Sequence, residues 1–273
     1  MAFGRGSQRA RVRSFLRISR GPRPGRATSP ILSFPRTACA QTLLVVEHRF
    51  RPFSLEHVLA LGSIVVLTMA CAAAVRLAPR SGAWLRTGVA VLLPLALFSL
   101  LGLDANVGVS WRSYAPLQLC DLAVGIAVFA LLTGDALAFE LTYTFSVAGT
   151  LPALLTPDVA EGFPHWRFVL YMAQHGGLVV ASGTLLAAGL RPRRGTPLRA
   201  LFWLNAVALA VGLVDALTGA NFMYLREKPG AATPLDAFGP WPFYLVTCEL
   251  LALLVFVVAC APFSVFRSNR VSD

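Results

Sequence analysis

The sequence predicts an all-α fold, a polytopic integral membrane helical bundle of about seven transmembrane helices, on three observations. Hydrophobic residues make up 56% of the 273-residue chain and charged residues only 14%, where a typical soluble domain carries about a quarter charged. Mean hydropathy is +0.66. Seven stretches, approximately 57–78, 84–103, 116–133, 136–155, 167–189, 199–219 and 241–262, are apolar over close to the ~20 residues a helix needs to cross a bilayer.

Before the first stretch, residues 1–46 form a separate basic segment. Residues 1–36 hold nine Arg and no acid, with too few aliphatic side chains to fold on their own. A signal peptide fits poorly, because Pro35 and Arg36 break the short apolar stretch at Ile31–Phe34 ahead of Ala38-Cys39-Ala40. Two readings stand: a basic arm on an anionic membrane surface, or a translated stretch upstream of a later start near Val45 or Val46. The transmembrane domain is expected over 47–264, followed by a short cytoplasmic tail at 265–273.

Within that domain the fourth stretch is the most dilute. Glu140, Thr142, Thr144 and Ser146 interrupt it, and two residues separate it from the third. Pro94, Gly125, Gly149, Pro152 and Gly183 fall inside spans. In a membrane bundle such residues are tolerated and let helices approach closely.

Loop charges set the expected orientation. One side carries Arg76, Arg80, Arg86, Arg191, Arg193, Arg194, Arg199, Arg267 and Arg270; the other carries Arg49, Arg51, Arg112, Arg167, Arg226 and Lys228, interspersed with acids. The richer side is expected to be cytoplasmic. That makes a multi-pass cell-membrane protein whose core begins outside and ends in the cytoplasm. Nine further Arg at the N-terminus oppose this orientation, which favours the later start.

Several classes are excluded. The net charge of +11 sits in the basic segment and beside apolar runs, with no basic groove interleaved with aromatics, so no nucleic-acid partner is expected. The five cysteines (Cys39, Cys71, Cys120, Cys248, Cys260) are odd in number and form no CxxC pair, against a disulfide framework. The four His lack metal-ligand spacing, and no phosphate-cradling Gly-rich loop or metalloprotease helix is present. Neither metal nor cofactor is expected; membrane lipids are the expected partners.

Ionisable groups inside spans are costly and mark candidate sites. At ~1.5 Å rise per residue, Asp121 lies roughly 8 Å, His175 roughly 12 Å, Asp215 roughly 6 Å and Glu249 roughly 12 Å from the outer ends of their spans. Glu140 alone falls near an inner end. The outer loops are rich in turn residues, including Asp158, Asn221 and Gly239-Pro240-Trp241-Pro242, so they are expected to be ordered over the bundle. Trp111, Trp166 and Trp241 are expected at the membrane interface, as are His48, His57 and His165 at span ends. Cys120 and His175, at similar depths on different spans, form a candidate thiol–imidazole pair for acyl transfer.

The run from Phe53-Ser54-Leu55-Glu56-His57 through Pro116-Leu117-Gln118-Leu119-Cys120-Asp121, Leu154-Leu155-Thr156-Pro157-Asp158, Gln174-His175-Gly176, Asn221-Phe222-Met223-Tyr224-Leu225 and Lys228-Pro229 to Gly239-Pro240-Trp241-Pro242 resembles the YwaF-like bacterial integral membrane proteins. The likeness covers roughly residues 50–262. That family is in turn similar to a vertebrate transmembrane acyltransferase that remodels phospholipid chains with a membrane-embedded Cys and His. The resemblance implies that His175 matches that His, while the Pro-Cys-His of the relative falls on Pro116, Leu117 and Gln118. Leu117 is no nucleophile, and Gln118 can hydrogen-bond but takes up no proton at neutral pH. Cys120, three residues on, offers a displaced thiol.

Two functions follow as expectations. One is a lipid-active acyltransferase with Cys120 as nucleophile, His175 as base and Asp215 or Glu249 as orienting groups. The other is a binding protein or proton-coupled carrier using Asp121, His175, Asp215 and Glu249. Gln118, Asp158 and Asn221 complete the candidate binding residues.

Overall fold

The computed structural model describes residues 49–229 and 233–268. The basic segment 1–46, His48 and the last five residues, Arg270 among them, lie outside the described residues. All regular structure described is helical, apart from an isolated antiparallel bridge between Arg49 and Glu161.

Among the described residues nine α-helices follow in order: α1 Leu55–Leu77, α2 Pro79–Asn106, α3 Trp111–Tyr114, α4 Leu119–Thr133, α5 Ala136–Phe145, α6 Leu151–Leu155, α7 Trp166–Ala187, α8 Thr196–Thr218 and α9 Phe243–Ser268. Local chemistry sets their boundaries. The Ser54 hydroxyl accepts from the His57 amide at the head of α1, and Asp135 Oδ1 accepts from the Ala138 amide at 2.8 Å to start α5. Gly134 (φ +70°) and Gly219 (φ +76°) close α4 and α8 in the left-handed conformation that side chains resist.

Among the described residues five helices, α1, α2 from Gly82, α7, α8 and α9, are long and apolar enough to span a bilayer. The third and fourth expected spans differ in form. Helix α4 is only 15 residues long, because the chain before it is extended and Gln118 is its cap, not part of the helix. The fourth runs from α5 through a π-helical segment, Ser146–Thr150, into α6. Seven of the ten residues of α5 are buried, including Phe139, Glu140, Thr142 and Thr144. A helix wrapped by other helices meets protein rather than lipid, so its polar groups are satisfied internally. Thr142 and Thr144 donate to carbonyls one turn back at 2.7 Å.

Successive long segments run antiparallel, giving the bundle two ends. At the clamp end, Glu140 accepts from Arg193 Nε at 2.7 Å and from Arg199 Nη2 and Nε at 2.8 Å, with the Arg193 amide adding a bond at 3.1 Å. Arg86 Nε donates to the Leu131 carbonyl at 2.8 Å, supplying charge to the C-terminal carbonyls of α4. At the opposite, cap end, Arg167 pairs with Asp104, and Trp111, Trp166 and Trp241 are exposed.

Helix α7 is the axis of the packing. Three glycines let neighbours press against its backbone: a Cβ on Gly176 would stand 2.6 Å from Ile64, on Gly177 2.8 Å from Leu93, and on Gly183 2.5 Å from Thr68. Along this face, between α1 and α2, runs an apolar groove of about 1060 Å³, lined by Leu59, Leu92, Leu95, Phe168, Met172 and Ala173 among others. The other face of α7, with Leu178, Ala181 and Leu185, enters the main core beside Phe139, Phe145 and Leu131.

Candidate functional site

The polar groups gather at the cap end in three linked sets. In the first, Gln174 on α7 donates to Asp121 Oδ1 at 2.7 Å, and the Gln118 amide donates to Asp121 Oδ2 at 3.3 Å. Gln118 Oε1 in turn accepts from the Met223 amide at 2.8 Å. Gln118 and Asp121 thus cap α4 and tie it to α7 and to the strap that follows α8.

The second set is that strap, 219–229. Met223 and Tyr224 sit at φ +55° and +54°, a left-handed geometry uncommon for such side chains, so something must hold them. Buried Asp215 accepts from the Phe222 amide at 3.0 Å. Asn221 Oδ1 accepts from the Arg226 and Glu227 amides at 3.0 and 3.3 Å, and its Nδ2 donates to the Glu227 carbonyl at 2.8 Å. Trp241 Nε1 donates to the Leu225 carbonyl at 3.1 Å, and the Tyr244 hydroxyl donates to the Tyr224 carbonyl. Tyr224 reaches the neighbouring loop, its hydroxyl donating to Asp158 Oδ2 at 3.2 Å. Burial pushes the Tyr224 phenol up, and the Asp158 charge adds to this. The strap is therefore ordered over the bundle end.

The third set holds the candidate chemistry. Cys120 Sγ and Thr150 Oγ1 lie 3.9 Å apart. His175 stacks on Tyr171, ring centroids 4.1 Å apart, and its Nδ1 donates to the Tyr171 carbonyl at 3.0 Å. A carbonyl only accepts, so Nδ1 carries the proton and Nε2 keeps its lone pair. The Tyr171 hydroxyl donates to the Ala153 carbonyl at 3.2 Å.

Not every candidate joins them. Cys120 and His175 share no hydrogen bond among the described residues. Glu249 faces outward between α8 and α9 and accepts from Asn205 Nδ2, away from the cap-end cluster. Asp215 Oδ2 has no partner among the described residues. The 1060 Å³ groove is lined by none of the eight candidates: it lies on the opposite side of α7. Among the described residues no cluster of three His, Cys, Asp or Glu is arranged to hold a metal.

Other polar positions near the cluster escaped sequence reasoning. His57, expected at the interface, is fully buried. Its Nδ1 accepts from the Phe53 amide at 3.0 Å and its Nε2 donates to the Leu154 carbonyl at 2.8 Å, so both nitrogens are committed. Gln174, Tyr171 and Thr150 carried a weak signal, being polar groups inside apolar spans and, in the first two, within one turn of His175.

These features define the class: a multi-pass α-helical membrane protein with a polar cluster at one end of its bundle, beneath an ordered strap. A family model for the TMEM164 family matches residues 52–260, and the chain belongs to that family. No curated protein and no solved structure matches it.

Proposed function

We propose that this protein is a lipid acyltransferase of the cell membrane, with Cys120 as nucleophile and His175 as general base. The observation that carries the reading is the contrast between the two buried histidines: His57 has both ring nitrogens engaged, while His175 keeps Nε2 free among the described residues and stacks on Tyr171. Cys120 is the second residue of α4. There the first backbone N–H groups have no intrahelical acceptor and the helix dipole favours negative charge.

In the reaction, His175 Nε2 takes the Cys120 proton as sulfur attacks an acyl ester carbonyl. The Leu119 and Cys120 amides at the start of α4, which do not share in the bonds from Asp121 and Leu122 to the Gln118 carbonyl, hold the developing oxyanion. The ester bond breaks, the released lysolipid oxygen regains the proton from His175, and a thioester remains on Cys120. A second lysolipid hydroxyl then takes the acyl group by the reverse sequence. Gln174 and Gln118 act as positioning residues by holding Asp121 and the start of α4. The likeness to YwaF-like proteins and their acyl-transferring relative supports this reading, and Gln118 departs from it in supplying no base. With the arginine-rich clamp end cytoplasmic, the cluster opens toward the outer leaflet.

The test is trapping the intermediate. Wild-type protein incubated with a radiolabelled phospholipid is expected to carry a hydroxylamine-labile label on Cys120; Cys120→Ala abolishes it and His175→Ala reduces it by about 10²-fold or more. An unlabelled wild type sinks the enzyme reading. The second reading, a ligand-binding or proton-coupled carrier, then takes its place, favoured by the unpartnered Asp215 Oδ2. Orientation is checked separately: a thiol probe that reacts from outside with a cysteine placed at Arg194 would reverse it.

A further inference from the structure

The apolar groove on the far face of α7 takes no part in the acyl-transfer reading. Its shape comes from the glycines. Ile64 and Leu93 sink against the α7 backbone at Gly176 and Gly177, which hollows the space outboard of them. At its clamp-side limit the groove is closed, because Thr68 presses on Gly183, and Val75 on Gly82, where a Cβ would stand 3.3 Å from the Val75 backbone. At the cap end Phe163 and Glu56 form its rim. The mouth is lateral, since Leu59, Leu92 and Leu95 line the groove and are also among the exposed side chains. The surface they belong to faces hydrocarbon once the bundle is in a bilayer.

We propose that this slot is a phospholipid-binding site that holds the acyl chains of one bilayer lipid, separate from the Cys120–His175 cluster. Two observations select that occupant. From Leu55 to Leu67 the lining follows α1 for about 18 Å at ~1.5 Å per residue, close to the ~15 Å depth of one leaflet, half of a ~30 Å hydrocarbon core. The lining is hydrocarbon apart from Glu56 at the rim and Ser63 and Ser99, and the Ser63 hydroxyl is already donated to the Ala60 carbonyl at 2.7 Å. A chain leaving the bilayer for this slot gains no hydrophobic free energy, because both surroundings are apolar. Retention rests on van der Waals fit, so the site selects chain shape.

The experiment uses the full chain reconstituted in phosphatidylcholine vesicles whose acyl chains carry a diazirine, with adducts mapped by mass spectrometry. Helix α8 is the internal control, since Leu209 and Leu217 are each 78% exposed against 62% for Leu59 and 64% for Leu92. Random annular contact therefore labels α8 at least as strongly. The expected result is groove labelling about tenfold above α8, a ~1.4 kcal/mol preference, falling to the α8 level in Ala173→Phe with α8 unchanged. Ala60→Leu, a smaller filling substitution, gives the same direction should Ala173→Phe fail to fold. Labelling that simply tracks exposure overturns the proposal, as do filled variants that label like wild type. Crosslinks joining two copies through this face overturn it in favour of a self-association surface. None of these readouts depends on a Cys120 thioester, so this site and the acyl-transfer reading fail independently.

Discussion

The two faces of α7 solve opposite problems with the same 22 residues. One face carries Tyr171, Gln174, His175 and Ser182, each hydrogen-bonded to a carbonyl or side chain. The other carries Gly176, Gly177 and Gly183, which offer neighbours nothing but backbone. In hydrocarbon an unmet polar group costs several kcal/mol, so the first face is held by satisfied bonds. The second is held by close approach, because lipid gives helices no hydrophobic reason to associate. Polar pairing fixes the position of a group, while glycine packing fixes the distance between helices.

The sharpest way to break the glycine face is Gly183→Ala. The new Cβ would lie 2.5 Å from Thr68 Cγ2, and the cost is expected near 3 kcal/mol, the upper part of the overpacking range. Thermal unfolding in detergent measures it. Adding Thr68→Ser removes the clashing methyl and is expected to restore most of the loss; no rescue means the glycine matters for another reason.

On the polar face the largest effect is expected from Gln174→Leu, which deprives Asp121 Oδ1 of its donor and costs about 2 kcal/mol. Ser182→Ala is expected to cost about 1 kcal/mol, since Ser182 donates to Ser146 Oγ at 3.0 Å, which in turn donates to the Leu178 carbonyl at 3.2 Å. If both variants unfold like wild type while Gly183→Ala does not, the polar face is functional rather than structural.

The smallest effect lies in the strap. The folded-state phenol of Tyr224 is raised above its ordinary value, so its contribution is complete below the unfolded pKa of about 10 and is lost as pH rises through the folded value. Trp241 fluorescence, reporting its bond to Leu225, is expected to change above pH ~10 in wild type and less steeply in Tyr224→Phe.

The positions of the helices were legible because a bilayer demands long apolar runs, and the chain supplies them. Their exact form was less so. Residues 116–118 were expected to begin the third span, yet they lie ahead of α4, with Gln118 as its cap; Pro116, which disfavours helix in the residue before it, was the available sign. That Asp121, with Cys120 beside it, His175 and Asp215 lie toward one end of the bundle followed from depth along each span. Facing did not. Helix α9 is apolar on all sides, so nothing in its pattern shows that Glu249 points toward Asn205 and away from the cluster. The burial of His57 was hidden for a similar reason: its partner is the Leu154 carbonyl, 97 residues away, and backbone acceptors leave no mark in a sequence.

The π-helical segment Ser146–Thr150 gives the fourth span a tolerance of length that its neighbours lack. A π-turn accommodates one residue more than the surrounding α-helix would use. Removing a single residue there lets the span revert to regular winding, while Leu151–Leu155 and the Leu154 carbonyl beneath His57 keep their facing. The same deletion in the regular winding of α5 would turn everything beyond it by about 100°, taking the Leu154 carbonyl from His57 and Thr150 from the side of Cys120. Two deletions a few residues apart would thus have opposite consequences for the entrance of the first helix and for the thiol.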